Sequence, residues 1–165
     1  MGDVRKGALL DIRDLRVRFG AVEAVRGVSL GVDEGEVLGL VGESGSGKSA
    51  MALAIMGLLP PTAEVAGKML WRRAAGGTEV DLLRQTPEQM RQIRGREIAI
   101  IFQEPMTALN PVMTEGRQVA ECAEAHAMRL TGREAKRKAI AAMEEVSIPN
   151  AAERYGDNPH QFSGG

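Results

Sequence analysis

Two early segments of the chain alternate apolar and polar side chains. Apolar residues at positions 15, 17 and 19 flank Arg16 and Arg18, and a second alternation covers positions 28–32. A period of two predicts strands that bury one face. The sequence Asp-Glu-Gly-Glu at 33–36 predicts a turn after the second strand.

Two short runs are apolar without interruption, at residues 37–41 and 98–102. Such runs are typical of strands that a parallel sheet covers on both faces. Between them, residues 49–59 predict a helix, stopped by Pro60 and Pro61. The pattern therefore predicts two buried strands with a helix after the first.

The middle of the chain predicts a hairpin and a capped helix. Residues 68–73 and 78–83 flank a small-residue segment and predict paired strands. Thr86 as N-cap, Pro87 at the first helical position and Gln89 as third residue predict a helix start, with Gly95 after its end.

A helical pattern covers residues 114–146. Thr131 and Glu134 form a capping-box pair at the start of its second half. We expect one face of that helix to pack in a core, and its members are Ala135, Ala139, Ala142, Met143 and Val146.

Composition narrows the function classes. The 165 residues are 44% hydrophobic and 26% charged with a net charge of −1, which indicates a globular protein and gives no reason to expect a nucleic-acid binder. The single Cys122 excludes an internal disulfide and a cysteine-rich zinc site, and two histidines disfavour a histidine metal cage. The start carries no signal-peptide pattern, and the longest apolar run, 50–59, is too short to span a bilayer. We expect a soluble, cytoplasmic chain that can be a peripheral part of a membrane complex.

Residues 42–49 match the phosphate-binding pattern G-x-x-x-x-G-K-[ST] at every fixed position. Glycines allow the backbone to wrap an anion with inward N–H groups, and the following helix adds its positive end. Lys48 is expected to reach the β- and γ-phosphates, and the Ser49 hydroxyl to ligate Mg²⁺. A chance glycine-serine loop is the alternative. The predicted nucleotide ligands here are Gly42, Glu43, Ser44, Gly45, Ser46, Gly47, Lys48 and Ser49.

Two further segments are weaker indications when taken alone. Gln103 ends the second apolar run, where parallel strand ends meet, so its amide oxygen could hold Mg²⁺ or the attacking water beside Ser49. A polar residue that merely ends a strand is the alternative. Ser163, Gly164 and Gly165 offer exposed N–H groups to a phosphate, and a flexible tail is the alternative there.

In their order and spacing these segments resemble the motifs of ABC-transporter ATPases. Residues 42–49 resemble the Walker A motif, Gln103 the Q-loop and residues 163–165 the start of the signature motif. Phe19 resembles the A-loop aromatic that stacks on adenine, with an ordinary strand aromatic as the alternative. Residues 42–49, 102–111 and 159–165 are similar to the subunits of oligopeptide, dipeptide and nickel importers, although Asn158 stands where that branch often has tyrosine.

The resemblance implies an α/β fold: a P-loop NTPase core with an N-terminal antiparallel β portion and a helical subdomain, incomplete at the C-terminus. The nucleotide-binding core would cover residues 1–103 and the helical subdomain residues 104–165. The family's Walker B aspartate, catalytic glutamate and switch histidine follow the signature motif, and this sequence does not contain them.

The resemblance also implies a function, cofactors and partners. ATP and Mg²⁺ would bind, with Lys48 and Gln103 in catalytic roles and Ser49 and Gln103 at the metal. Ser163, Gly164 and Gly165 would clamp the ATP of a second ATPase subunit, identical or different, in a head-to-tail dimer.

Transmembrane permease subunits and, indirectly, an extracytoplasmic solute-binding protein would complete the system at the cytoplasmic face of the membrane. Hydrolysis would power uptake of peptides or a related small solute. The alternative is a truncated, non-hydrolysing nucleotide-binding module. A GTPase is disfavoured because no Asn-Lys-x-Asp motif occurs, and a small-molecule kinase lacks an evident acceptor pocket.

Overall fold

The computed structural model describes residues 8–73, 78–103, 108–126 and 130–162. The chain forms two compact units, Met1–Ile100 and Ile101–Gly165, named here the sheet unit and the helical unit. The boundary that we predict between residues 103 and 104 stays a prediction.

The sheet unit contains four antiparallel strands in the order β2-β1-β3-β4. They are β1 (Leu10–Phe19), β2 (Val22–Val32), β3 (Ala63–Arg72) and β4 (Glu79–Asp81). The two alternating segments are confirmed as β1 and β2, joined by a tight turn that pairs Phe19 with Val22. The hairpin is also confirmed, since β3 pairs with β4, while its turn at 74–77 lies outside the described residues.

The three longer strands are irregular at neighbouring positions. Asp14 of β1 has a φ of 46°, and the pairing of β1 with both neighbours shifts beside it. Gly67 of β3 faces this point, where a Cβ would lie 2.6 Å from the Asp14 carbonyl oxygen, and Gly27 of β2 has a φ of 80°. The Ser29 hydroxyl accepts a hydrogen bond from the Asp14 amide at 2.9 Å. The extra residues are in β1 beside Asp14 and in β2 at Gly27, and Gly67 is the single β3 residue opposite the β1 bulge.

The described residues of the sheet unit also form two helices and a 3₁₀ turn: α1 (Lys48–Ile55), Leu82–Arg84 and α2 (Pro87–Ile93). The capping box of α2 is confirmed, with Thr86 and Gln89 exchanging hydrogen bonds. The large side chains that are fully buried in the described sheet unit are Ile12, Leu15, Val17, Met69 and Ile93. The side chains of α1 and α2 pack into this same core.

The two uninterrupted apolar runs are not strands in this structure, so that prediction is wrong here. Residues 37–41 have no regular secondary structure, and Val37 and Val41 are each 95% exposed. In the second run, Ile98 makes one isolated bridge with Arg94, and Ile101 is 91% exposed. A strand in a sheet interior needs a hydrogen-bonded neighbour on each side. Among the described residues, the single bridge at Ile98 is the only strand pairing that either run makes.

Helix α1 ends earlier than the predicted residue 59. Gly57 has a φ of 60°, its amide bonds to Ala54, and the Leu58 amide bonds to the Leu53 carbonyl at 2.9 Å. This is a Schellman arrangement, in which a left-handed glycine closes the helix. The helix therefore stops at its glycine before reaching Pro60.

In the described part of the helical unit, the elements with full bounds are α3 (Glu115–His126), α4 (Gly132–Glu145), α5 (Ala151–Arg154) and a 3₁₀ turn, Pro159–Gln161. The capping box of Thr131 and Glu134 is confirmed. The predicted core face of α4 is only partly right, because Ala135, Ala139 and Met143 are buried whereas Ala142 and Val146 are exposed. A spacing of four residues keeps the first three on one narrow stripe, and positions 142 and 146 lie beside it.

Small side chains allow close packing in the helical unit. Its buried cluster is Ala120, Ala135 and Ala139, with Val119 and Tyr155 packed against it. Gly116 of α3 lies so close to Tyr155 that a Cβ there would be 2.3 Å from ring atom Cδ2. The approach of α3 to the Tyr155 ring therefore requires glycine at this position.

Polar side chains tie the loops of the helical unit to its helices. The Gln118 side chain accepts from the Asn110 amide at 2.9 Å and donates to the Asn110 and Met113 carbonyls at 3.0 and 3.1 Å. The guanidinium of Arg154 lies 4.3 Å from the centre of the Phe162 ring and donates to the Gln161 carbonyl. Among the described residues, no helix is both long and apolar enough to cross a membrane.

Candidate nucleotide site

The glycine-rich loop, residues 42–49, leads directly into α1. Gly47 is the N-cap of this helix with a φ of 92°, and its carbonyl accepts from the Met51 amide at 2.9 Å. Gly45 also has a positive φ, 79°, and the Ser46 amide bonds back to the Glu43 carbonyl. Residues with a Cβ rarely adopt these angles, so the two glycines allow the backbone path of the loop.

Two glycines also allow close contact. A Cβ on Gly47 would lie 2.3 Å from the Ala24 carbonyl oxygen of β2, and one on Gly42 would lie 2.7 Å from Ser46 Oγ. The loop is therefore pressed against the free edge of β2 and folded tightly on itself. Any larger residue at Gly47 would push the loop away from the sheet.

The Lys48 ammonium lies inside the curve of the loop. Its Nζ donates to the carbonyl oxygens of Gly42 and Glu43 at 2.6 and 2.7 Å, and to Ser46 Oγ at 3.1 Å. The first turn of α1, fully described, contains no acidic residue that would oppose an anion. The ammonium and the positive end of the helix thus meet at one point, which suits a phosphate group.

A cleft of about 500 Å³ opens beside the loop. The loop, the edge of β2 and the preceding apolar run line it, and its lining residues are Glu23, Ala24, Val25, Arg26, Val28, Leu40, Val41, Gly42, Gly45, Ser46, Gly47, Lys48 and Met51. The volume is in the range of small-molecule sites. The cleft therefore lies where the sequence predicts that phosphate groups bind.

Sequence reasoning missed the contribution of β2 to this cleft. Alternation predicted the strand, but which edge faces the loop depends on the sheet order β2-β1-β3-β4, which leaves β2 at one side. Phe19, predicted to stack on adenine, is half-buried against the core of the sheet unit and is not among the described lining residues. Its role stays a prediction.

The remaining predicted residues are placed as follows. Ser49 is exposed in the first turn of α1. Gln103 is exposed and belongs to the helical unit, and its place beside Ser49 stays a prediction. Ser163, Gly164 and Gly165 lie outside the described residues. Within the described ranges no group of three or more His, Cys, Asp or Glu side chains forms a metal cage.

Comparison with known proteins decides the family. The family model described as ABC transporter matches residues 25–165, which is most of the chain and includes the whole glycine-rich loop. The chain belongs to the ABC transporter family.

Its curated relatives include ATP-binding proteins of peptide transport. The chain is 43% identical to the dipeptide transport ATP-binding protein DppD of Bacillus subtilis and covers 47% of it, and 40% identical to the oligopeptide transport ATP-binding protein OppD of the same organism and covers 45% of it. It is 48% identical to the glutathione import ATP-binding protein GsiA of Salmonella choleraesuis, of which it covers 26%. These matches use 95%, 98% and 95% of the chain. The chain therefore spans about half the length of these relatives, or less.

A solved structure confirms the fold class. The dimeric bacterial ABC transporter cassette MJ0796 superposes with a TM-score of 0.74 at 22% identity, covering 94% of this chain and 63% of the cassette. The predicted resemblance to ABC ATPases and the predicted P-loop NTPase fold, with its antiparallel β portion, are thus confirmed. The alternative of a non-hydrolysing module is not favoured by these matches.

Proposed function

We propose that this chain is the nucleotide-binding part of an ABC-type ATPase that powers uptake of peptides or a related small solute. The observation that carries the proposal is the loop at 42–49, with the Lys48 ammonium held among its own carbonyls at the start of α1. The relatives DppD and OppD, ATP-binding proteins of dipeptide and oligopeptide transport, support the solute class.

ATP would bind in the cleft beside β2. The backbone amides of the loop and the Lys48 ammonium would hold the β- and γ-phosphates, because both are preorganised at the positive end of α1. Ser49, exposed in the first helical turn, would ligate Mg²⁺ through its hydroxyl, with the Gln103 amide as a second ligand or as the group that orients water. Lys48 and Gln103 would be the residues of this chain that act in hydrolysis.

The remaining contacts concern the base and the partners. Phe19 would stack on adenine, and Ser163, Gly164 and Gly165 would contact the γ-phosphate held by a second ATPase subunit. Permease subunits in the membrane would receive the motion of the ATPase pair at the cytoplasmic face, and a solute-binding protein would deliver cargo to them. Support for this arrangement comes from family membership and from the dimeric cassette of the same fold.

Calorimetric titration of the full-length protein with MgATP tests the proposal. Replacing Lys48 by alanine removes a charged hydrogen-bond donor worth about 1.5–3 kcal/mol, so affinity should fall roughly ten- to a hundredfold. Lys138→Ala, at an exposed position of α4, is the matched control and should bind like the wild type. Equal affinities for Lys48→Ala and Lys138→Ala would refute the phosphate role.

The coupling role of Gln103 needs a second measurement. In the full-length protein assembled with its membrane subunits, Gln103→Ala should lower solute-stimulated ATP hydrolysis while Lys48 still supports MgATP binding. Unchanged stimulated hydrolysis would remove Gln103 from the mechanism and leave the nucleotide site intact.

A further inference from the structure

The far end of the phosphate-binding helix is held by one side chain. The Arg94 guanidinium, just after α2, donates from Nε to the Met56 carbonyl at 2.6 Å and from Nη2 to the Gly57 carbonyl at 2.7 Å. Both acceptors belong to the C-terminal cap of α1, whose opposite end carries Lys48 and Ser49. A planar guanidinium that spans two carbonyls fixes direction as well as distance.

The contacts around Arg94 restrict where its backbone and side chain can lie. Its amide donates to the Met90 carbonyl and closes α2, and its backbone bridges to Ile98. Ile93 beside it is fully buried. Gly57 faces it without a side chain, and a Cβ there would lie 3.0 Å from Arg94 Nη2. The position of α1 relative to α2 is therefore fixed through the Arg94 side chain.

The positive charge of Arg94 also contributes to its contact with the end of α1. The last turn of α1 contains no basic residue of its own, so Arg94 supplies the positive charge at its negative end. Arg94 is not among the ion pairs that the described residues form. With only eight residues, α1 is about 12 Å long and gains little stability by itself.

We propose that Arg94 is a positioning residue for the nucleotide site: by holding the C-terminal end of α1, it preorganises the loop and the helix start that bind phosphate. The inference rests on the proposed function. If α1 could tilt, the loop amides and Lys48 would have to be reordered on binding, and that reordering costs affinity.

The test measures the dissociation constant of MgATP for the full-length protein. The temperature is kept well below the thermal unfolding midpoint of each variant. Arg94→Met should raise it about three- to tenfold, because the charge and both hydrogen bonds are lost. Arg94→Lys keeps the charge but not the planar fork and should lie between Arg94→Met and the wild type. Arg91→Met is the matched control, an exposed arginine of α2, and should bind like the wild type.

Hydrogen exchange of the amides at 51–56 in the nucleotide-free protein provides a readout that remains useful if Arg94→Met folds poorly. Exchange in Arg94→Lys should be faster there than in Arg91→Met. A lower unfolding midpoint with unchanged MgATP affinity in both Arg94 variants would mean a purely structural contact and would overturn the proposal alone. Failure of the wild type to bind MgATP would overturn it together with the proposed function.

Discussion

The sheet unit and the helical unit bury side chains of very different size. The sheet unit encloses leucine, isoleucine, valine and methionine side chains at essentially zero exposure. The buried cluster of the helical unit is three alanines with Val119 and Tyr155 against it, and Met143 is buried outside that cluster. Stability per residue should therefore come from apolar volume in the first, and from close backbone approach and polar contacts such as that of Gln118 in the second. The comparison teaches that each unit is vulnerable to a different kind of substitution.

Leu15→Ala in the sheet unit should have the largest effect, about 3–4 kcal/mol of unfolding free energy, because it leaves a cavity among fully buried neighbours. The chain has a single tryptophan, Trp71 of β3, whose fluorescence reports this unit during urea unfolding. Leu38→Ala makes the same chemical change at a side chain that is 45% exposed and should cost much less. Similar losses for both would mean that the size of the core is not what stabilises the sheet unit.

Gly116→Ala should be the most harmful small change in the helical unit. The added methyl overlaps the ring and the carbonyl oxygen of Tyr155, so we expect a loss of about 1–2 kcal/mol even after alanine's better helix propensity is counted. Far-UV circular dichroism during urea unfolding measures it. Gly132→Ala, whose Cβ would meet nothing within 4 Å, is the control and should be neutral or stabilising. A neutral Gly116→Ala would show that the α3–Tyr155 contact is loose.

Gln118→Leu should cost about 1 kcal/mol, because the amide and carbonyls of the 110–113 turn lose their partners but remain partly open to water. Gln118→Glu is informative because a carboxylate can accept from the Asn110 amide but cannot donate to the two carbonyls. It should therefore not restore stability. The same Gln→Leu change at exposed Gln92 of α2 should lie within about 0.5 kcal/mol of the wild type. Full recovery in Gln118→Glu would contradict the assigned donors.

The double variant Val37→Ser/Val41→Ser should change stability by less than about 0.5 kcal/mol, since both side chains are almost fully exposed in this chain. This double change removes as much apolar surface as a damaging core substitution would. A small effect would therefore show that burial, and not apolar character alone, stabilises the sheet unit. A loss near that of Leu15→Ala would show that residues 37–41 are packed after all.

The smallest effect concerns pH and the capping box of α4. Hydrogen bonds from the Thr131 amide, and then from its hydroxyl, lower the pKa of Glu134 below its ordinary value of 4.5. A carboxylate with a lowered pKa stabilises the folded state above its ordinary pKa, and this contribution disappears as the pH falls through the lower folded value. The stability advantage of the wild type over Glu134→Gln should therefore shrink in acid, as measured by urea unfolding between neutral and acidic pH. A gap that widens in acid would reverse the assignment.

Local features of the structure followed from the sequence. Capping boxes at Thr86 and Thr131 involve residues three apart, and alternation in β1 and β2 reflects one buried face, so neighbouring side chains suffice to predict them. The phosphate loop is likewise continuous in sequence. Its glycine angles and its position before α1 agree with what the pattern requires.

Features that depend on distant partners did not follow. The apolar run at 37–41 has the composition of a strand, but pairing needs a neighbour that no local pattern reveals. Three contacts join residues that are far apart in the chain: β2 lies beside the loop, Gly116 contacts Tyr155, and Arg94 binds the end of α1. Each is a matter of tertiary geometry, which residue spacing does not encode.

The bulges of β1 and β2, at Asp14 and Gly27, and Gly67 opposite the first of them have one more consequence. A strand of plain alternating residues could slide two positions along its neighbour and still bury the same face. Here such a slide would bring a side chain into the space that Gly67 leaves open beside the Asp14 carbonyl. These positions therefore help to fix the register of the three strands. Mispaired versions of this sheet would be destabilised by steric overlap within the sheet itself, without any contribution from the helices.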